Sequence, residues 1–191
     1  MLHPKAPTLS RKLFITFPSP EEEFFQRLER ALSKGVDLIQ LRLPSFSEEK
    51  YEIWAKKVLA LCKGYGTQII LNAAPELVLR LGANGVHLSS ARLASLSSRP
   101  LPPEYLVFAA CHNAEELEKA QHIEADFVTL SPVLPTASHP GAPTLGWVTF
   151  GKLVSSVNIP VYALGGMTPD HLSKALALGA QGIAMLSAGW A

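Results

Sequence analysis

The chain has 191 residues, 48% of them hydrophobic, with 17 basic against 16 acidic side chains and a net charge of +1. That is material for one packed domain, and its balanced charge excludes the electrostatic footprint of a nucleic-acid or anionic-membrane binder. The longest apolar runs are strand-sized and too short to span a bilayer, while Cys62 and Cys111 are too few for a disulfide framework and point to a reducing cytoplasm.

Residues 1–11 lack an apolar signal core and read as a leader ahead of a single domain over 12–191. The first strand is "KLFITF", and Phe17-Pro18-Ser19-Pro20 follows it where a dinucleotide-binding fold would carry a glycine-rich phosphate loop. Next comes a phrase that recurs along the chain: a helix end, a small turn and a short aliphatic strand. Its copies are "ALSKGVDLIQL", "VLRLGANGVHL", "KAQHIEADFVTL" and "ALALGAQGIAML". The strands "TQIIL", "YLVFAA" and "PVYAL" fit between them. From Ser47 to Cys62, the residues Tyr51, Trp54, Ala55, Val58, Leu61 and Cys62 share one face at helical spacing. Asn113 followed by Glu116 reads as a helix cap with its box, and Thr168-Pro169 as a cap with proline at the first helical position.

This alternation predicts parallel strands linked by helical crossovers, and the economical architecture is a (β/α)₈ TIM barrel. A doubly wound open sheet is the alternative. The last strand, Gly182 to Leu186, is followed only by "SAGWA", so the eighth helix is expected to be absent or rudimentary. The vacated apolar slot predicts a homodimer.

Alternate residues of the recurring strands separate two faces. Ile39, Leu41, Val86, Leu88, Val128, Leu130, Ile183 and Met185 are aliphatic, as strands packed under helices require. The opposite parity carries Gln40, Arg42, His87, Ser89, Thr129, Ser131 and Ala184, with the polar members toward C-terminal strand ends, where barrel enzymes place their chemistry. The mouth thus collects Gln40, Arg42, Asn72, His87, His112, the loop Ser131–Gly146, Gly165-Gly166 and Ser187-Ala188.

Each has a plainer reading. Arg42 could pair with a surface acid, Asn72 could cap the helix after Pro75, and His112 could be an ordinary surface imidazole. As a loop residue at the mouth, His112 is also placed for proton transfer. His87, His112 and His139 raise the question of zinc, but no HxH or HExxH spacing pre-aligns them, and no metal is expected. Cys111 reads as a small buried hydrophobe, and His3, His122 and His171 as surface residues. In "ALGGMTP", Gly165-Gly166 let backbone N–H groups approach an anion, and with Ser187 and Ala188 they form a candidate phosphate cradle. The loop Ser131–Gly146 exceeds the usual connection length and is expected to be a lid. Pro132, Pro135, Pro140 and Pro143 stiffen it, Gly141 and Gly146 give it points to swing, and Thr136, Ser138 and His139 lie near its tip.

From about Leu38 to Ser187 the sequence resembles the thiamine-phosphate synthases and their thiazole-tautomerase (TenI) relatives. The resemblance is carried by "QLR" at Gln40–Arg42, Asn72, "GANGVHL", "CHNAEELEKA", "ADFVTLSPVLPTASHPG", "LGW" and "IPVYALGGMTP". The order is also similar to the synthase-like domain that follows a Nudix hydrolase domain in some bacterial fusions, which makes such a domain a candidate partner. The family reaction joins a pyrimidine diphosphate to a thiazole phosphate, with magnesium neutralising the departing diphosphate.

Measured against that family, a lysine after "QLR" is replaced by Pro44, and the two magnesium aspartates by Ala73 and Arg92. A glutamine is replaced by Ser90 and a serine by Ala110. The family's Thr-x-Thr-Lys loop reads Thr136-Ala137-Ser138-His139. Gln40, Arg42, Asn72, His112, Thr136, Gly166 and Ser187 remain. The resemblance therefore implies a protein of the thiazole branch of thiamine metabolism. It would bind a phosphorylated thiazole or thiamine phosphate, with no cofactor and a degraded magnesium–diphosphate half-site. His112 would be the catalytic proton carrier; Gln40, Arg42, Asn72, His87, Thr136, Ser138 and His139 would contact substrate. Two alternatives stand beside this: a non-catalytic binding or regulatory domain, and an active synthase with substituted residues, His139 replacing the lysine.

Overall fold

Eight short parallel strands close on themselves in chain order, each of the first seven followed by a crossover that returns the chain to the same end. In this computed structural model, residues 10–136 and 141–190 are described. The strands are β1 (Lys12–Ile15), β2 (Leu38–Leu41), β3 (Gln68–Leu71), β4 (Gly85–Leu88), β5 (Leu106–Cys111), β6 (Phe127–Leu130), β7 (Val161–Ala163) and β8 (Gly182–Met185). The helices are α1 (Glu21–Ser33), α2 (Glu48–Lys63), α3 (Pro75–Leu81), α4 (Ser90–Ser95), α5 (Ala114–His122), α6 (Gly146–Ser155) and α7 (Leu172–Ala177). Pairing of Lys12, Leu13 and Phe14 with Ile183, Ala184 and Met185 closes the barrel and rules out the open sheet.

The recurring phrase has a physical basis. Its turn residue sits in the left-handed region at Gly35, Gly82 and Gly179, and the third copy places Glu124 there, at φ 56°. Two residues on, a polar side chain seals the edge of the preceding strand. Asn84 Oδ1 accepts from Ile69 N at 2.8 Å, and Asp126 Oδ2 from Val107 N at 2.7 Å. Each copy therefore ends a helix and reverses the chain, and these two also satisfy the second donor of the preceding strand with their own side chains.

The two strand faces separate as their alternation predicts. Ile39, Leu41, Val86, Leu88, Val128, Leu130, Ile183 and Met185 all lie in the large core beneath the helices. Leu13, Ile15, Leu38, Ile70, Phe108, Phe127, Tyr162 and Ala184 fill the barrel itself. A filled lower barrel leaves only the upper layer for polar side chains. On α2, Tyr51, Trp54, Ala55, Val58 and Cys62 are buried, with Leu61 packed at the margin.

After β8 the described chain makes one 3₁₀ turn, Ser187–Gly189, in place of an eighth helix. Trp190 then lies edge-on to Phe14 at 6.0 Å and donates Nε1–H to Ile15 O at 2.7 Å. The indole thus packs against β1 beside the end of β8. Among the described residues no helix is long and apolar enough to cross a membrane.

Candidate functional site

At the C-terminal end of the barrel the strands open into a cavity of about 720 Å³. Inward-facing residues of β2, β4 and β6 contribute Gln40, His87 and Thr129, all buried. His87 Nε2 lies 3.2 Å from Thr129 Oγ1. Two buried polar atoms, Gln40 Nε2 and His87 Nδ1, have no hydrogen-bond partner among the described residues. Burial, and secondarily the nearby Arg42 guanidinium, push the His87 imidazole down to about 3. It is a neutral group near pH 7, unsuited to trading protons and suited to holding a ligand as a fixed dipole.

Arg42 follows β2 and lines the same cavity. Among the described residues it belongs to no ion pair, so its reading as partner to a surface acid is not realised. Asn72 also lines the cavity, while the residue preceding α3 is Ala74, with no side-chain cap; Asn72 is not the cap of that helix.

His112 is exposed at the end of β5, and the helix cap anchors it. Asn113 Oδ1 accepts from Glu116 N at 2.9 Å, and Glu116 Oε2 accepts from His112 N at 2.5 Å. The expected box forms with its return bond one residue earlier than usual. The ring Nδ1 lies 2.8 Å from the Ser131 carbonyl and 3.3 Å from its hydroxyl. A carbonyl only accepts, so in this contact Nδ1 carries the proton and donates it.

Opposite, Thr136, Gly165, Gly166, Ser187 and Ala188 complete the wall. Both glycines have positive φ, 97° and 67°. A Cβ on Gly165 would lie 2.8 Å from Pro132 Cα, and one on Gly166 would lie 2.6 Å from Pro135 O. The loop after β6 is stitched to this bare backbone by Val133 N→Leu164 O at 2.9 Å and Leu134 N→Gly165 O at 3.1 Å. Its far end is tied by Leu145 N→Pro132 O at 2.9 Å and Gly146 N→Val133 O at 3.0 Å. The feet of the Ser131–Gly146 loop are therefore fixed, and the glycine pair serves loop packing as well as the turn. Ser138 and His139 lie outside the described residues, and with them the proposed tip contacts and any three-histidine cluster.

His171 is not a plain surface residue. Its Nδ1 accepts from Thr168 N at 3.0 Å, lies 3.0 Å from Thr168 Oγ1, and completes a capping box before α7. Its ring packs on Trp147 at 5.9 Å. Thr168 and Met167 line the cavity, so this cap supports its wall. Cys111 is fully buried, and burial pushes its thiol up to about 12, as befits a core residue.

At the positions that the family resemblance gives to magnesium ligands, the residues present do not fit that ion. Among the described residues no Asp or Glu lines the cavity, Ala73 is buried without a donor side chain, and Arg92 is an exposed cation that offers no ligand atom. Among the described residues no three His, Cys, Asp or Glu side chains gather to hold a metal. Sequence reading passed over Ile15, Leu164, Met167 and Leu186, the apolar wall, and Thr168 as a lining residue. Inward parity on β1, β7 and β8 was the available signal for the strand residues among them.

A family model described as thiamine monophosphate synthase matches residues 13–188. The putative thiamine-phosphate synthase 2 of Aquifex aeolicus is 37% identical over 166 residues, 87% of this chain and 89% of that protein. The thiamine-phosphate synthase of Fusobacterium nucleatum is 30% identical over 167 residues, 87% of this chain and 81% of that one. The thiamine phosphate pyrophosphorylase structure from Pyrococcus furiosus superposes with a TM-score of 0.75 at 26% identity, covering 95% of this chain and 88% of that chain.

Proposed function

The chain belongs to the thiamine monophosphate synthase family, and from that premise we propose that its barrel mouth binds one phosphorylated heterocycle of the thiazole branch and moves a proton on it. The observation that carries this reading is the make-up of the cavity among the described residues: one guanidinium, no carboxylate, and two buried polar atoms without protein partners. Leaving such atoms unsatisfied costs about 1–3 kcal/mol each, so a ring with complementary polar edges gains by filling the space. In this reading the phosphate rests on the Gly165-Gly166 and Ser187-Ala188 backbone, and Arg42 and Asn72 meet the ligand's other polar groups. His112 Nε2 takes a proton from one ring position, and the resulting imidazolium returns it to another. The described wall supplies no carboxylate for magnesium, so no step of this chemistry is assigned to that ion. A biosynthetic role of this kind supports a cytoplasmic location.

The test is calorimetric titration with thiazole phosphate and thiamine monophosphate, alongside turnover of the thiazole tautomer and synthase assays with and without magnesium. Phosphorylated ligands should bind, and His112→Asn should retain binding while lowering tautomer turnover by roughly 10²-fold or more, the usual reach of acid–base catalysis. Binding without turnover would assign a regulatory role, partnering an enzyme such as a Nudix hydrolase. Robust magnesium-dependent synthesis of thiamine phosphate would overturn the proposal.

A further inference from the structure

We infer that Thr16 is a positioning residue that sets the aim of Arg42 through its main chain. This rests on reading Arg42 as a ligand contact in the mouth. Thr16 stands just beyond β1, where the ladder to β2 ends: its N–H donates to Gln40 O at 3.0 Å. The main-chain rung to Arg42 O cannot form, because its donor in the parallel ladder would be the nitrogen of Pro18, which has no N–H. The Thr16 hydroxyl takes that rung's place. It accepts from Arg42 N at 2.8 Å and donates to Arg42 O at 3.1 Å, so one oxygen holds the backbone on both sides of the Arg42 Cα.

The other bonds flank Arg42: Phe46 N donates to Leu43 O at 3.2 Å on one side. On the other, Asn72 N and Tyr51 Oη both donate to Leu41 O, at 3.0 Å and 2.8 Å, which fixes Leu41 and leaves Arg42 to Thr16. Thr16 is 2% exposed, so solvent is poorly placed to substitute for the lost hydroxyl. The guanidinium lines the cavity and, among the described residues, belongs to no ion pair. With no acid to orient it, its direction is inherited from the backbone and from packing. Threonine suits the task because its β-branch restricts χ1 and keeps the hydroxyl between the two strands.

The experiment uses the full chain and two readouts. The first is calorimetric affinity for thiamine monophosphate in Thr16→Val, Thr16→Ser, Arg42→Ala and the Thr16→Val/Arg42→Ala double variant. Thr16→Val should weaken binding roughly tenfold, Thr16→Ser roughly two- to threefold, and the double variant should bind no worse than Arg42→Ala alone. The second is the Arg42 Nε–Hε signal in nitrogen-15 NMR without ligand, which should lose its dispersed position and broaden in Thr16→Val. Equal weakening by Thr16→Val with and without Arg42, or an unmoved Arg42 signal, overturns the assignment. If the wild-type protein binds no thiamine monophosphate, the functional reading fails, and the NMR signal still decides the role of Thr16. If Thr16→Val does not fold, Thr16→Ser serves alone: its freer hydroxyl should broaden the Arg42 signal, and an unchanged signal refutes the inference.

Discussion

Replacing Gly166 by alanine tests the way the loop after β6 is laid against the cavity wall. Gly166 has φ 67°, and an added Cβ would stand 2.6 Å from Pro135 O and 2.8 Å from Leu134 Cβ. Two costs follow. A left-handed conformation costs an L-residue about 1–2 kcal/mol. The contacts require the loop to retreat by several tenths of an ångström, against the bonds that tie Val133 and Leu134 to Leu164 and Gly165. Crowding of this kind costs about 1–3 kcal/mol. The sum is about 2–5 kcal/mol. Gly35 provides the control, with φ 82° and nothing within 4 Å of an added Cβ, so Gly35→Ala bears the backbone cost alone. Urea unfolding of both variants isolates the contact contribution as their difference. Thermal midpoints should separate by about 2–4 °C per kcal/mol for a chain of this size. If Gly166→Ala is no less stable than Gly35→Ala, the loop does not depend on bare backbone at that point, and the packing argument fails.

His87 predicts an acid-sensitive stability. Its folded-state pKa, about 3, lies below the unfolded value near 6.5, so the unfolded chain binds more protons between those limits. Stability is therefore full above about pH 6.5 and falls on acidification toward pH 3, by about 2–3 kcal/mol at pH 4.5. His87→Gln should flatten this dependence in urea unfolding at pH 7 and 4.5, and parallel slopes for the two proteins would contradict it. Glu124 holds a left-handed position that glycine occupies in the other three copies of the recurring turn. Glu124→Gly should raise stability by about 0.5–1 kcal/mol, the relief of that strain less the entropy of the freer unfolded chain. A loss of stability on denaturant unfolding would show that the Glu124 side chain contributes more than its backbone costs.

The barrel and its polar mouth were legible in the sequence because they depend on local rules. Strand alternation has period two, so Ile39, Val86, Val128 and Ile183 on one parity and Gln40, His87 and Thr129 on the other declared the two faces before any pairing was known. Asn113 with Glu116 was equally readable, since a helix cap is settled within four residues. What crosses the chain was not. Gly165 and Gly166 looked like a turn or an anion cradle, and their need for bare backbone arises from Pro132 and Pro135, far earlier in the sequence. His171 escaped notice because its box uses an imidazole where glutamate or glutamine is usual. The neutrality of His87 depends on burial beside Thr129 and on the charge of Arg42, and the bond from Thr16 to Arg42 joins separate strands. Periodicity determines which way a side chain faces. Only the closed barrel decides what stands opposite it, and hydrogen bonding, close contact and desolvation all depend on that neighbour.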